Sequence, residues 1–152
     1  MKQLMRIVFI ATSFFSSVVS ADKVLPGTYD NLKAEERGKV GRLLMHPKEN
    51  NTFLFSLKLN RGKPSYNSGH IFGELIFVDN VANFQSADFK FKEKICKLEF
   101  KNVDNVISVS SIDNNNQCGF GFGVYADGEY SLTSKDIPES YIDTLGNTVK
   151  FQ

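Results

Sequence analysis

The sequence predicts an all-β domain in which an antiparallel meander forms a small barrel or a two-layer sandwich with one disulfide. Apolar and polar residues alternate along several segments, which is the pattern of half-buried strands. Turn-forming residues such as those at 79–80 and 102–105 separate the segments. Strands spaced about eight to twelve residues apart are typical of sandwiches and barrels. The chain also holds only two cysteines.

Residues 1–21 have the features of a secretory signal peptide. A positive start is followed by an apolar run over 7–19, and small residues precede a cleavage site before Ala21 or Asp22. The apolar run is shorter than the roughly 20 residues that a membrane-spanning helix needs. We therefore expect residues 22–152 to form a single exported domain, periplasmic or secreted, without a stable membrane anchor.

The charge of the exported part is nearly balanced. The 18 basic residues fall to 16 when Lys2 and Arg6 leave with the leader, against 17 acidic residues. A net charge so close to zero creates no long-range field that would attract nucleic acid or an anionic membrane. We expect no nucleic-acid partner, and a chain of this size buries a substantial core as one domain.

Four segments carry the alternation most clearly. Residues 53–59 place Phe53, Phe55, Leu57 and Leu59 on one face of a strand. Residues 71–78 are apolar on both faces, which predicts a strand at the centre of the sheet or beneath a loop. Residues 96–101 form a half-buried strand with the cysteine pointing inward, and 106–112 form another.

Two further segments have helical signals. Residues 31–37, followed by Gly38, fit one helical turn or a hairpin. Residues 138–145 begin with proline and are followed by Gly146, the pattern of a short C-terminal helix with a glycine stop. Either helix would be peripheral to the sheet.

Cys96 and Cys118 are predicted to form a disulfide, because two cysteines in an exported chain most simply pair with each other. The chain-entropy model assigns a loop of this length roughly 3 kcal/mol of stabilisation. The Cys-x-x-Cys spacing of redox dithiols is absent. Only His46 and His70 could join the cysteines as metal ligands, so we expect neither a metal nor another cofactor.

Residues 118–124 alternate apolar side chains with glycines, which predicts a strand. A phosphate-binding loop would need its glycines in a turn that opens a helix, and here a second turn follows at 127–128. The bare glycine face would allow close approach by another backbone, a sharp bend or a bulge. The residues predicted to point inward are Cys118, Phe120, Phe122 and Val124, opposite Gly119, Gly121 and Gly123.

The segment CGFGFGVYADGEY, residues 118–130, carries a resemblance together with the motifs Cys96-x-Leu98-x-Phe100, Gly69-x-Ile71-x-Gly73 and Gly27-x-Tyr29. This pattern resembles a group of small exported bacterial β-rich proteins with no assigned catalysis. It is more distantly similar to the small envelope proteins that inhibit lysozymes. The resemblance covers most of the exported part and implies an inhibitor role, without assigning that role to any residue.

Catalysis is the less favoured class of function. Both cysteines are expected to be bridged and no Gly-x-Ser-x-Gly elbow occurs. His46 and His70 are interpreted as solvated surface histidines. The acidic pairs at 35–36 and at 127 with 129 could serve glycoside hydrolysis, but they lie on turn-like segments where carboxylates are usually just solvated.

A binding protein is the favoured class, and the connection 60–69 is its candidate contact. A polar loop on a rigid scaffold suits insertion into a cleft lined by catalytic carboxylates, although an ordinary hydrophilic hairpin loop would have the same composition. The expected partner is another protein, either a cell-wall hydrolase that is inhibited or an envelope toxin that is neutralised. The candidate contact residues are Arg61, Lys63, Ser65, Tyr66, Asn67 and His70.

A lipocalin-like carrier of a small apolar ligand is the alternative function. The chain has fourteen phenylalanines, of which three lie in the leader. An eight-stranded barrel is wide enough to hold one small ligand, but side chains fill such an interior equally well.

Overall fold

The computed structural model describes residues 23–36, 39–91, 94–112 and 118–152, with the backbone alone at 87–91 and 94. The predicted leader and the turn at 113–117 lie outside these residues. No helix in the described part of the chain is long and apolar enough to cross a membrane.

The all-β prediction is confirmed, and the main sheet is a nearly closed barrel of eight antiparallel strands. The strand order β4-β3-β2-β1-β8-β7-β6-β5 is that of a meander whose first and last strands pair. The strands are β1 Gly27–Asp30, β2 Val40–Pro47, β3 Thr52–Asn60, β4 Ser68–Ile76, β5 Val81–Phe91, β6 Lys94–Val103, β7 Val106–Ser111 and β8 Gly128–Ser134.

The seam between β1 and β8 is reinforced by a buried carboxylate. Asp30 accepts hydrogen bonds from Arg42 Nε on β2 and from Thr133 Oγ1 on β8, each at 2.7 Å. The hydrogen bond to Asp30 raises the pKa of Arg42. A buried charge is tolerated when it is paired and hydrogen-bonded in this way, so three strands are held together at the point where the meander returns.

The barrel interior is filled with side chains. The inward positions of β3 are those that the alternation predicts, and the Phe55 ring meets the rings of Phe84 and Phe100 edge-on, with centroids 5.0 and 5.2 Å apart. Burying such rings is the main favourable contribution to folding. The largest fully buried apolar side chains are Tyr29, Tyr130, Phe55, Phe100, Leu43, Met45, Leu57, Ile71, Leu75, Leu98 and Ile107.

The two ends of the barrel differ in the length of their connections. In an antiparallel meander alternate connections lie at the same end, so the β2–β3, β4–β5 and β6–β7 turns share one end, the turn end. The connection 61–67 and the described parts of the connections 31–39 and 112–127 share the other, the loop end. The short turns are made by Asn and Asp pairs with positive φ, which these residues tolerate: Asn50 and Asn51, Asp79 and Asn80, and Asp104 and Asn105.

Of the predicted segment 31–37, the described residues 31–36 form one helical turn rather than a hairpin, and residue 37 lies outside the described part. Helix α1 spans Leu32–Glu35, and the Asn31 side chain caps it by accepting a hydrogen bond from the N–H of Ala34. Asparagine is among the preferred N-cap residues. This short turn places Lys33 at the loop end of the barrel.

The predicted C-terminal helix at 138–145 is wrong. The chain instead forms a hairpin of β9 Ser140–Ile142 and β10 Thr148–Lys150. The Asp143 side chain accepts hydrogen bonds from the N–H groups of Leu145 and Asn147, which favours a turn over a helix. Gly146 has φ 86° and is therefore a turn glycine, not a helix stop.

Of the two positions predicted for residues 71–78, at the centre of the sheet or beneath a loop, the central one is wrong. Strand β4 lies at one end of the strand order, with β3 as its only neighbour in the sheet. Its outer face is apolar because Phe72 packs under Tyr141 of the C-terminal hairpin, with ring centroids 5.7 Å apart. The hairpin therefore partly covers Phe72, whereas Ile76 and Val78 on the same face remain largely exposed.

Candidate functional site

The predicted disulfide is present and joins β6 to the long loop-end connection. Cys96 and Cys118 are bonded with an S–S distance of 2.04 Å, and both are buried. The bridge therefore holds residues 118–127 against the barrel wall.

Residues 118–124 are a loop and not the predicted strand. Gly119 and Gly123 have φ of 70° and 72°, a conformation that glycine adopts without the steric cost of a side chain. Each left-handed residue interrupts the extended backbone, so the period-two phase is lost. Cys118 and Val124 remain buried, but the Phe122 side chain, predicted to point inward, is 84% exposed.

The same loop closes the barrel where β4 and β5 separate. The Gly121 N–H donates to the carbonyl of Ser68 at the start of β4, with an N···O distance of 2.9 Å. A Cβ on Gly121 would lie 3.1 Å from that oxygen, and a Cβ on Gly69 would overlap the Phe120 ring. The predicted close approach of another backbone is therefore confirmed at Gly121.

The connection 61–67 is held against this closing loop. The Phe122 carbonyl accepts hydrogen bonds from Asn67 Nδ2 at 2.8 Å and from Arg61 Nη1 at 3.4 Å. The Arg61 guanidinium carbon also lies 5.8 Å from the centre of the Phe122 ring, in cation–π range. Two connections that are distant in sequence thus form one surface.

A cleft of about 470 Å³ opens at the loop end between helix α1, the connection 61–67 and the start of β8. Lys33 Nζ and Glu129 Oε2 form an ion pair across it at 2.6 Å, and this ammonium lowers the pKa of Glu129. The Tyr130 hydroxyl lies buried beneath and donates to the carbonyl of Ala126 at 2.8 Å. Arg61 and Tyr125 also line the cleft.

Aromatic and cationic side chains are exposed together beside this cleft. Tyr66 is 57%, Tyr125 56% and Phe122 84% exposed. None of the ion pairs between described residues involves Arg61 or Lys63. Aromatic residues and arginine are enriched at protein interfaces, where they contribute most of the affinity. We call Arg61, Lys63, Tyr66, Phe122 and Tyr125 the loop-end patch.

The predicted contact residues of the connection 61–67 have two kinds of environment. Arg61 and Asn67 face the closing loop and are partly buried. Lys63, Ser65 and Tyr66 are exposed at its tip. Phe122 and Tyr125 were not among the predicted contact residues. The alternation of residues 118–124 had placed the Phe122 side chain inside the barrel. The glycines on both sides of Phe122 were the available signal that the strand is interrupted there.

His70 lies away from the loop-end patch. It is the third residue of β4, where its side chain points to the outer wall and lies under Tyr141, with ring centroids 5.4 Å apart. Its Nε2 is hydrogen-bonded to Ser56 Oγ at 2.9 Å. Burial, and secondarily the Lys58 ammonium, lower the pKa of His70, while Asp143 acts in the opposite direction.

The prediction that His46 and His70 are solvated surface histidines is wrong for both residues. His46 is half-buried under the same C-terminal hairpin, stacked on Phe151 with a centroid distance of 5.3 Å. Its Nδ1 lies 2.8 Å from the carbonyl oxygen of Pro138. A carbonyl only accepts, so Nδ1 carries the proton. Both histidines thus help to hold the hairpin on the barrel.

The Ser56–His70 pair has the spacing of a nucleophile and its base. Ser56 is only 2% exposed, so a substrate carbonyl could not reach its hydroxyl in this arrangement. The described residues contain no group of three or more histidine, cysteine, aspartate or glutamate side chains placed to hold a metal ion.

In comparisons with known proteins, no family model, curated protein or solved structure matched this chain. The site is therefore interpreted from its own geometry.

Proposed function

We propose that this chain is an exported, non-enzymatic binding protein that contacts another protein through the loop-end patch. The expected partner is a cell-wall hydrolase that it inhibits or an envelope toxin that it neutralises. The observation that supports this function is the exposure of three aromatic side chains beside Arg61 on loops that a disulfide fastens to a rigid barrel.

The fixed position of these loops favours tight binding. Ordering a mobile side chain on association costs about 0.5–1.5 kcal/mol. Arg61 is already positioned by Phe122, and Asn67 by the same carbonyl. The remaining guanidinium donors could form a bidentate pair with a partner carboxylate. An acidic substrate cleft of a hydrolase has the complementary chemistry.

Removing two side chains of the patch tests this proposal. We expect Arg61→Ala combined with Tyr66→Ala to weaken binding to a captured hydrolase or toxin by roughly 10- to 100-fold, because interface arginines and tyrosines are often worth 1–2 kcal/mol or more each. The partner is captured from envelope extracts with the purified protein, and affinity and inhibition are then measured with that partner, with lysozyme as a defined probe.

The matched control is Glu49→Ala with Val103→Ala. Both residues are exposed at the turn end of the barrel, so this variant should bind like the unmodified protein. Full inhibition by the Arg61/Tyr66 variant, or a loss confined to the control, would contradict the assignment of the loop-end patch.

A carrier of a small apolar ligand is the alternative function, and it has less support. Buried aromatic and aliphatic side chains occupy the barrel axis, among them Phe55 and Phe100. Native mass spectrometry of the purified protein distinguishes the two functions, since a carrier retains a small apolar molecule that adds to its mass.

A further inference from the structure

Strand β4 has a second edge that is not paired with a strand. Its partner in the sheet is β3, and its backbone is bridged to β5 only next to the turn, at Val78–Val81. At the loop end the Gly121 N–H bonds to Ser68. Between these two contacts the space along residues 70–76 of β4 is the barrel's one interruption among the described strands. We call this space the β4 slot.

The hydrogen-bond pattern shows which backbone groups face the slot. Ser68 and Val78 use their carbonyls on this side, for Gly121 and Val81 respectively. In an antiparallel strand, alternate residues direct both their N–H and their C=O to the same side. The even-numbered residues between Ser68 and Val78 therefore point these groups into the slot, and no backbone partner for them exists among the described residues. They are His70, Phe72, Glu74 and Ile76.

Strand β5, the opposite wall of the slot, also directs backbone N–H and C=O groups into the slot. Val81 of β5 uses its N–H and C=O for Val78, so Asn83 and Gln85 also direct their backbone groups away from β6. The ring of Phe84 closes the slot from the inside, because a Cβ on Gly73 would lie 2.5 Å from that ring. The slot is therefore a groove on the outer wall with hydrogen-bonding edges on both sides.

Apolar surface borders the groove. Phe72, Ile76 and Val78 are 59%, 57% and 67% exposed. Beside the groove, a cavity of about 290 Å³ lies over the β3–β4 pair, between Leu54 and Phe72 on the barrel wall and Tyr141 and Phe151 of the C-terminal hairpin. This cavity is large enough for an apolar side chain that projects outward from the slot.

We propose that the β4 slot binds an extended segment of another protein by strand addition. Free backbone N–H and C=O groups in an alternating row are matched by an extended backbone. In this binding mode, main-chain hydrogen bonds supply affinity and neighbouring pockets select side chains at alternate positions. The partner segment should carry an aliphatic or aromatic side chain for the cavity beside Phe72, and no proline at the residues that pair with β4.

A single segment fits this slot better than a second copy of the barrel. Edge-to-edge pairing of two sheets needs free space beyond the edge, and β5 lies there. The chain also contains a precedent for a backbone donor on this side, because Gly121 of the loop 118–124 already donates to Ser68. This surface is separate from the loop-end patch, so the two proposals fail independently.

Amide hydrogen exchange with a defined peptide tests the proposal. The probe is a fluorescein-labelled heptapeptide of alternating valine and threonine. In the free protein the N–H groups of Phe72, Glu74 and Ile76 should exchange rapidly, whereas those of the residues between them, which bond to β3, should be protected. The peptide should slow exchange of the first set at least tenfold. The same peptide N-methylated at alternate amides should bind at least tenfold more weakly.

A substitution on β4 provides a matched pair of variants. Glu74→Pro removes one slot-facing N–H and leaves the bonds to β3 in place, and the preceding Gly73 reduces the steric conflict that proline creates. Glu74→Ala keeps the N–H. We expect the proline variant to bind the peptide at least tenfold more weakly and the alanine variant to bind within twofold of the unmodified protein.

Three results would overturn the proposal. The first is protection of the slot-facing amides in the free monomer. The second is equal binding, or no binding, of the two peptides. The third is protection that rises with protein concentration alone, which would assign the slot to a second copy of this chain. If Glu74→Pro fails to fold, the N-methylated peptide still decides the question, since it leaves the protein unchanged.

Discussion

At the scale of single residues, glycines decide how the loop end is built. A Cβ on Gly121 would be crowded against Asn67 and Ser68, and Gly123 adopts a left-handed φ beside Arg61. These are different physical requirements within one short segment. The first concerns space between two backbones, and the second concerns the backbone dihedral itself.

Replacing one of these glycines tests the close contact. We expect Gly121→Ala to lower the free energy of unfolding by about 1–3 kcal/mol, because its Cβ would lie 3.0 Å from Asn67 Cβ and 3.1 Å from the Ser68 carbonyl oxygen, so that these neighbours must shift. Urea denaturation followed by circular dichroism measures the change. Ser65→Ala, at the exposed tip of the neighbouring connection, should stay within about 0.5 kcal/mol. Equal stability of all three proteins would show that the contact is not tight.

At the scale of elements, the C-terminal hairpin is attached to the outer wall by aromatic packing. Tyr141 contacts His70, Phe72 and Phe151, and Phe151 in turn stacks on His46. Since burial lowers the pKa of His70, the docked hairpin favours the neutral imidazole. The attachment should therefore depend on pH.

Acidification should weaken this attachment. The unfolded imidazole has a pKa near 6.5 and the folded one a lower value, so the unfolded state binds more protons as pH falls from about 7.5 to 5 and stability decreases. One proton limits the change to about 1.4 kcal/mol per pH unit, and solvent screening at this half-buried site reduces it. Amide exchange of β9 and β10 against pH measures the effect.

His70→Gln is the matched control for that titration. Glutamine offers a polar group for Ser56 but does not titrate, so the pH dependence assigned to His70 should disappear. Work above pH 5 leaves Asp143 ionised, because hydrogen bonds from Asn147 lower the pKa of its carboxyl below the ordinary value. An unchanged pH profile in this variant would remove His70 from the explanation.

At the scale of the whole molecule, the barrel is closed by two different devices. The seam between β1 and β8 is an antiparallel ladder whose register shifts between Thr28 and Tyr29. The gap between β4 and β5 is closed at the loop end by the loop 118–124, which the Cys96–Cys118 bond holds in place. The disulfide thus stabilises the fold and also positions Phe122 of the loop-end patch.

Removing the disulfide should affect both properties. We expect Cys96→Ser with Cys118→Ser to lower the free energy of unfolding by about 2–4 kcal/mol. It should also accelerate amide exchange at Gly121, since that hydrogen bond loses its anchor. Urea denaturation and exchange measurements report the two effects separately. A destabilised variant with unchanged exchange at Gly121 would show that the bridge does not position the closing loop.

The sequence alone determined the features that depend on local preference. Alternation located β3 and its inward face, Asn and Asp pairs marked the tight turns, and two cysteines in a chain with a predicted leader indicated the bridge. Each of these follows from the side-chain period of a strand, from dihedral preference or from residue count. Information of this kind is carried within a few neighbouring residues.

The way in which these strands, turns and loops meet is set by the tertiary structure. The open edge of β4, the docking of residues 138–151 on the outer wall and the position of Phe122 each depend on contacts between distant parts of the chain. The hydrogen bond of Gly121 to Ser68 is an example, because neither residue alone signals the other. A local pattern shows which face of a strand is buried. The strands that it pairs with depend on how the whole sheet closes.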